Sequence, residues 1–178
     1  MQTGLDEKVV LVTGGAGGIG EEICKAFASE GSKVIVHYHS SSENATKIAD
    51  EIQGFSIKAD LTESSETKLM FEKIVEKYGR IDVCIANAGY YPPEPLPLWD
   101  IDPERWKKTI SSNLDVSVNT ARNFLRHASK KKSGSIVFIG STAGIYGEAG
   151  HSDYAAAKGA ITSGLLMSLK NEVSNFGN

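Results

Sequence analysis

Val9-Val10-Leu11-Val12-Thr13-Gly14-Gly15-Ala16-Gly17-Gly18-Ile19-Gly20 is the stretch that decides the fold. A run of apolar and β-branched residues, Val9–Thr13, has the length of a strand and ends on a glycine loop. An amphipathic stretch of helix length, Gly18–Ser29, opens directly out of that loop. Glycines suit such a junction because the backbone turns sharply, approaches a pyrophosphate and then packs against the next helix. The helix start offers unpaired N–H groups and a partial positive charge to phosphates. The glycines satisfy three spacings at once: Thr-Gly-x3-Gly-x-Gly, Thr-Gly-x2-Gly-x2-Gly and Gly-x-Gly-x2-Gly. The loop therefore predicts a dinucleotide site without choosing among families.

The same rhythm continues along the chain. Strands are expected at Val9–Thr13, Lys33–Tyr38, Gly54–Ala59, Val83–Asn87 and Ser135–Gly140. All but the third are dense in Val and Ile, as in strands covered on both faces. Helices are expected at Gly18–Ser29, Ser42–Gln53, Ser64–Tyr78, Pro103–Ser129 and Ser152–Asn175, with Asp102 as N-cap and Pro103 in the first turn of the fourth. Alternating strands and helices with short joins predict a doubly wound parallel α/β sheet, a Rossmann-type single domain spanning residues 1–178. One segment breaks the alternation. Tyr90–Pro97 holds four of the five prolines and must be an extended loop at the carboxyl end of the fourth strand. Ligands of open α/β sheets bind at those ends, so it reads equally as a substrate wall and as a stiff connector.

Composition excludes several functions. The 178 residues carry a net charge of -3, with 40% hydrophobic and 23% charged residues, which fits a folded globular protein. An acidic balance argues against nucleic acid as a partner. The Lys130-Lys131-Lys132 run reads as a basic helix end. No apolar run is long enough to span a membrane and no metal-ligand spacing occurs, so no membrane and no metal are expected. Cys24 and Cys84 look like small buried fillers rather than a disulfide framework. The cytoplasm is the expected compartment.

Further landmarks fall at the strand ends. Asp60-Leu61 follows the third strand, Asn87-Ala88-Gly89 closes the fourth, and Asn113 lies within the long fourth helix. Ser141 follows the fifth strand, and Tyr154-Ala155-Ala156-Ala157-Lys158 begins thirteen residues later. This ordered set, covering essentially the whole chain, resembles the short-chain dehydrogenase/reductase family, and within it the 3-oxoacyl-carrier-protein reductases and bacterial-type sugar dehydrogenases. Extended-family epimerases share the glycine loop and the Tyr-x3-Lys pair, but Asn87-Ala88-Gly89 and Asn113 argue against them.

The resemblance implies an oxidoreductase moving hydride between a nicotinamide cofactor and a small carbonyl or alcohol substrate. Gly14, Ala16, Gly17, Gly18, Ile19 and Gly20 would hold the pyrophosphate. Asp60, with Leu61, would meet the adenine, and Asn87, Ala88 and Gly89 the adenine ribose and the cofactor-side wall. Tyr154 would act as general acid/base, its proton affinity lowered by the Lys158 ammonium. Lys158 would also bond the nicotinamide ribose, so both residues belong to the cofactor site too. Ser141 would bond the substrate oxygen, and Asn113 would hold a water of a proton relay. Each residue has a plainer reading: Asp60 capping a turn, Asn87-Ala88-Gly89 ending a strand, Ser141 capping a turn, Asn113 exposed on a helix, Tyr154 and Lys158 a surface helix pair. Co-occurrence in order favours the functional set. Candidates for substrate contact are Tyr90, Tyr91, Tyr146, Glu148 and His151, all in loops, with a plain loop histidine the commoner reading of His151.

The cofactor choice rests on the end of the second strand. NAD enzymes of this fold place a carboxylate there to bond the ribose 2′-hydroxyl, whereas this chain has Tyr38-His39-Ser40-Ser41-Ser42. Tyr38, Ser40 and Ser41 would line that ribose and His39 could assist with a 2′-phosphate, unless the serines merely cap the next helix. NADP(H) is the expected cofactor and NAD(H) the alternative. Against NADP(H), Gly17 stands where many NADP enzymes of the family carry Arg or Lys. The family continues past the position of Asn178 with further strands and a substrate-covering segment. The chain is thus expected to be C-terminally incomplete, with an apolar edge at Val137–Ile139 in a sheet ordered 3-2-1-4-5. A homo-oligomer, dimer or tetramer, is expected through the fourth and fifth helices. The rival function is a non-catalytic dinucleotide-binding or interaction domain, which would bind without turnover.

Overall fold

The structure is a computed structural model that describes residues 3–174. Five parallel strands form one sheet in the order β3-β2-β1-β4-β5: β1 (Val9–Val12), β2 (Lys33–Tyr38), β3 (Phe55–Lys58), β4 (Val83–Ala86) and β5 (Ser135–Phe138). Chain order reverses between β1 and β4, and crossovers on opposite faces open a crevice at their carboxyl ends. The register pairs Leu11 with Ile35 and with Cys84. Alternate residues of β1 face opposite sides. Val9 and Leu11 join Ile57, Phe71, Ile74 and Phe124 in one core, and Val10 and Val12 join Cys24, Val34, Ile48 and Ile85 in the other. Such two-sided burial requires an apolar strand without polar alternation.

The first three helices lie close to their expected spans: α1 (Gly18–Ser29), α2 (Ser42–Glu51) and α3 (Ser64–Tyr78). The next two depart from expectation. Pro103–Ser129 is three pieces, α4 (Pro103–Ile110), a π-helical turn (Ser111–Asp115) and α5 (Val116–Lys131). Asp102 accepts a bond from the Arg105 N–H, so its N-cap role holds. The long last helix is likewise α7 (Ser152–Gly159), a π-helical turn (Ala160–Leu165) and α8 (Leu166–Glu172); its expected end at Asn175 lies outside the described residues. Side-chain bonds to the backbone accompany both widened turns. Asn113 Nδ2 donates to Thr109 O and Ser117 Oγ to Asn113 O, while Thr162 Oγ1 donates to Lys158 O. Each bond goes to a carbonyl four residues back and competes with the regular backbone ladder. Two short elements had no periodic signal, a 3-10 turn (Leu98–Asp100) and α6 (Ala143–Tyr146).

The fifth strand is the sheet edge, as the order 3-2-1-4-5 implied, but it is not covered on both faces as its Val and Ile content suggested: Val137 is 46% exposed. Cys24 and Cys84 are both fully buried, and burial pushes the Cys24 thiol up to about 12. Among the described residues no helix is long and apolar enough to cross a membrane.

Candidate active site

The glycine loop is held from three sides. Thr13 Oγ1 accepts the N–H groups of Asn87 and Ala88, both at 3.0 Å, and Asn87 Nδ2 donates back to Thr13 O and Gly14 O at 2.9 and 3.2 Å. Asn44 of α2 donates to Ala16 O at 2.7 Å. From β2, His37 O accepts the Gly15 N–H, and His37 Nδ1 accepts the Gly14 N–H at 3.0 Å. Since Nδ1 accepts, Nε2 must carry the proton that goes to Ala59 O at 3.1 Å, which defines one neutral tautomer. Burial pushes the His37 pKa down to about 4.

The glycines divide by what a side chain would meet. A Cβ on Gly20 would lie 2.1 Å from Gly14 O, so the loop closes on the helix only without one. At Gly18 a Cβ would meet nothing within 4 Å, and at Gly17 only Gly14 O at 3.6 Å. Those two bound open space at the start of α1, whose N-cap, Gly17, has no side chain to cap the helix. The first N–H groups of a helix have no partner within it, so the space faces unpaired donors. The crevice here has a volume of about 600 Å³. Gly14, Ala16, Gly17, Gly18, Ile19, Gly20, Tyr38, Ser40, Ser41, Asn87, Ala88 and Gly89 all line it. A phosphate-bearing dinucleotide fits this cradle.

Asp60 and Leu61 stand apart from that lining. Asp60 Oδ1 accepts from the Thr62 N–H and hydroxyl, closing a turn, and Oδ2 lies 3.6 Å from His39 Nε2. The Thr62 hydroxyl bond, outweighing partial burial, holds the Asp60 carboxyl below its ordinary range. Leu61 is 3% exposed and packs in the core beside β3. His39 borders both the crevice and a neighbouring cavity at Asp60. Ser41 occupies the N-cap position of α2 but makes no side-chain cap bond, leaving its hydroxyl uncommitted.

The second half of the site converges at Gly89. Its missing Cβ would lie 2.8 Å from Asn113 Oδ1 and 3.5 Å from Lys158 Nζ. Asn113 is fully buried and not on an exposed helix face. Its amide grips the Tyr90 backbone in both directions, accepting from Tyr90 N at 3.2 Å and donating to Tyr90 O at 2.8 Å. Lys158 is 5% exposed and donates to Ile139 O, just past β5, at 2.9 Å; burial lowers its pKa. The pair with Tyr154 is thus no surface pair, and Lys158 Nζ sits 5.8 Å from the Tyr154 ring centroid. Ser141 Oγ accepts the Ala143 N–H at 3.2 Å, a turn cap that still leaves the hydroxyl proton free to donate. The turn after Ser141 packs on α7 so closely that a Cβ on Gly144 would sit 2.7 Å from Gly159 N.

Around Tyr154 the proline-rich loop forms a wall. The Tyr91 ring meets the Tyr154 ring edge-to-face at 5.0 Å, stacks on His151 at 4.5 Å and donates its hydroxyl to Glu148 Oε1 at 2.5 Å. That bond to Glu148 raises the Tyr91 pKa. Tyr146 is 84% exposed beside this wall, while Tyr90 carries Lys108 over its ring. Asp153, immediately before Tyr154, is fully buried against Arg105 and Thr109. Burial alone would raise its pKa, but the Arg105 and Thr109 bonds more than offset this and hold the carboxyl below its ordinary range. Neither His37 nor the Arg105–Asp153 pair was visible in the motif spacing, because each partner lies in a different segment.

A family model described as short chain dehydrogenase matches residues 8–177. The chain is similar to 3-oxoacyl-[acyl-carrier-protein] reductases from several bacteria. It is 37% identical to that of Thermotoga maritima over 162 residues, covering 88% of this chain and 65% of the relative. It is 34% identical to that of Escherichia coli over 173 residues, covering 96% and 69%. With that of Staphylococcus aureus it shares 31% over 175 residues, covering 96% and 70%. The chain thus spans about two thirds of the length of these relatives.

Proposed function

The chain belongs to the short-chain dehydrogenase/reductase family, and on that premise we propose that it is an oxidoreductase interconverting a carbonyl and an alcohol with NADP(H). The observation that carries this reading is the meeting at Gly89. Gly89 lines the crevice that suits a dinucleotide and also stands against the Asn113 and Lys158 side chains, and the helix bearing Lys158 also bears Tyr154.

When bound, the cofactor supplies a hydride to the carbonyl carbon. The carbonyl π electrons then move to its oxygen, and Tyr154 donates its hydroxyl proton there, giving the alcohol. Lys158, whose ammonium has donors beyond the one used by Ile139, holds the cofactor ribose and stabilises the phenolate left on Tyr154. Ser141 donates its free hydroxyl proton in a bond to the substrate oxygen and steadies the developing charge. Asn113 fixes the Tyr90 backbone beside the site, and the widened turn at Asn113 supports a water that returns a proton through Lys158. Gly14, Ala16, Gly17, Gly18, Ile19 and Gly20 receive the pyrophosphate. Asn87, Ala88 and Gly89 would line the ribose, and Asp60, beside the crevice through His39, would meet the adenine, the core-packed Leu61 only through its backbone.

NADP(H) is preferred because Tyr38, Ser40 and Ser41 bring no carboxylate to repel a 2′-phosphate, and the Ser41 hydroxyl is not used as a helix cap. The relatives are named for 3-oxoacyl groups on a carrier protein, which places β-keto thioesters among the first substrates to try. A homo-oligomer is proposed through α5 and α8, between which Val118, Leu125, Leu165 and Leu169 line an apolar hollow of about 420 Å³. Dissociation constants of NADPH and NADH at one ionic strength, with turnover of a panel of ketones, sugars and β-keto thioesters, test the proposal. It predicts tighter NADPH binding and at least one reduced carbonyl. Binding of either cofactor without any turnover would favour a non-catalytic domain.

A further inference from the structure

We infer that Arg105 and Asp153 are a positioning pair that locks Tyr154 against the proline-rich wall and so sets the rate of the chemical step while leaving cofactor binding alone. The inference rests on the proposed acid/base role of Tyr154.

One guanidinium joins three segments. Arg105 Nε donates to Asp153 Oδ2 at 3.1 Å, in the first turn of α7. Arg105 Nη1 donates to Glu94 O at 2.7 Å in the proline-rich loop, and Nη2 to Gly150 O at 3.3 Å just before α7. Asp153 completes the lock from its other side. Its Oδ2 also accepts the Thr109 hydroxyl at 2.9 Å, and its Oδ1 accepts the Tyr154 N–H at 3.0 Å. The same two segments are sewn together by Leu96 N–H to Gly150 O at 2.9 Å and by His151 Nε2 with Pro92 O at 3.1 Å. The edge-to-face contact of Tyr91 with Tyr154 is therefore fixed at both ends.

Stability alone is a poor reason for such a pair. The side chains of Asp153 and Arg105 are 0% and 16% exposed, and the desolvation of a buried ion pair roughly cancels its attraction. What a planar guanidinium fork supplies instead is direction, since its donors leave at fixed angles that an ammonium cannot reproduce. Direction matters at the residue next to a proton donor, where misplacement by about 1 Å costs on the order of 100-fold in rate. None of these atoms lies at the glycine loop, which is why cofactor affinity is spared.

The test uses Arg105→Lys, which keeps the charge and loses the fork, and Thr109→Val, which removes one bond to Asp153. Tyr154→Phe serves as reference. With a carbonyl that the wild type reduces, Arg105→Lys should lower kcat about 10- to 100-fold while the NADPH Kd stays within about twofold. Thr109→Val should move kcat the same way by less. Tyrosine labelled at the ζ carbon gives a readout independent of turnover. The Tyr154 resonance, assigned by its loss in Tyr154→Phe, should shift in Arg105→Lys while those of Tyr38 and Tyr78 stay. An unmoved resonance with unchanged kcat would overturn the inference. So would an equal loss of kcat, cofactor affinity and thermal stability, which marks a merely structural role. If Tyr154→Phe keeps turnover while the resonance still shifts, the acid/base reading fails and the lock stands as geometry only.

Discussion

Acid should loosen the cofactor loop through His37 before it unfolds the sheet. The His37 ring is 2% exposed, accepts the Gly14 N–H at Nδ1 and donates from Nε2 to Ala59 O. A second proton has no acceptor there and would break the Gly14 bond. Burial lowers the folded pKa from 6.5 to about 4. Between those values the unfolded chain binds the proton and the folded chain does not, so stability rises with pH across that window. The contribution is complete above pH 6.5 and is lost as pH falls toward 4. At about 1.4 kcal/mol per pH unit, a drop from neutrality to about pH 4.5 removes roughly 2–3 kcal/mol. His37→Asn keeps an acceptor near the Nδ1 position and cannot ionise. It should be less stable at neutral pH by about 1 kcal/mol for the lost bond to Ala59. Urea unfolding of both proteins at the two pH values compares them directly, since groups that His37 does not touch, such as Asp153, titrate in both and cancel. The wild type should lose roughly 2–3 kcal/mol more than the variant on acidification. Parallel losses would refute the buried neutral histidine.

Gly20→Ala places a methyl group 2.1 Å from Gly14 O; it should destabilise the protein by about 1–3 kcal/mol and weaken NADPH binding, checked by thermal unfolding and fluorescence titration. Tyr38→Asp should shift preference toward NAD(H), because like charges about 4 Å apart repel by roughly 4 kcal/mol at an effective dielectric of 20. Even a quarter of that, after solvent screening, is about fivefold in the ratio of dissociation constants. Lys158→Met should harm both kcat and cofactor affinity, since one ammonium serves both, and the two parameters measured together check it. Light scattering should show a species larger than monomer, and replacing Leu166 and Met167, 39% and 47% exposed on α8, by Ser should shift it toward monomer.

Local periodicity carried most of the fold. The all-apolar runs of β1 and β2 and the glycine junction are local signals, and the crossover rules order the sheet from them. The interruptions at Asn113 and Thr162 were hidden because periodicity reads a continuous apolar stripe, and the widened turns keep that stripe while single side chains bond carbonyls four residues back. The candidate site was legible where its residues form spaced motifs, as with Tyr154 and Lys158, which α7 places on one helix. It was not legible where the candidate site is built by pairing across segments. His37 meets Gly14 across 23 positions and Arg105 meets Asp153 across 48, separations over which neither residue type carries a local preference. Asp60 shows a third case: its turn with Thr62 is readable, but its place beside His39 and outside the lining of the main crevice needs the register of β2 on β3.

The central claim is that Tyr154 supplies the proton in a hydride transfer from a nicotinamide cofactor. The most direct measurement is the initial rate of carbonyl-dependent NADPH oxidation by the wild type and by Tyr154→Phe, each at saturating cofactor. The phenylalanine ring keeps the packing against Tyr91 and loses only the hydroxyl. The account predicts a rate about 100- to 10,000-fold lower with an unchanged NADPH dissociation constant. A Tyr154→Phe protein that oxidises NADPH at the wild-type rate would contradict it.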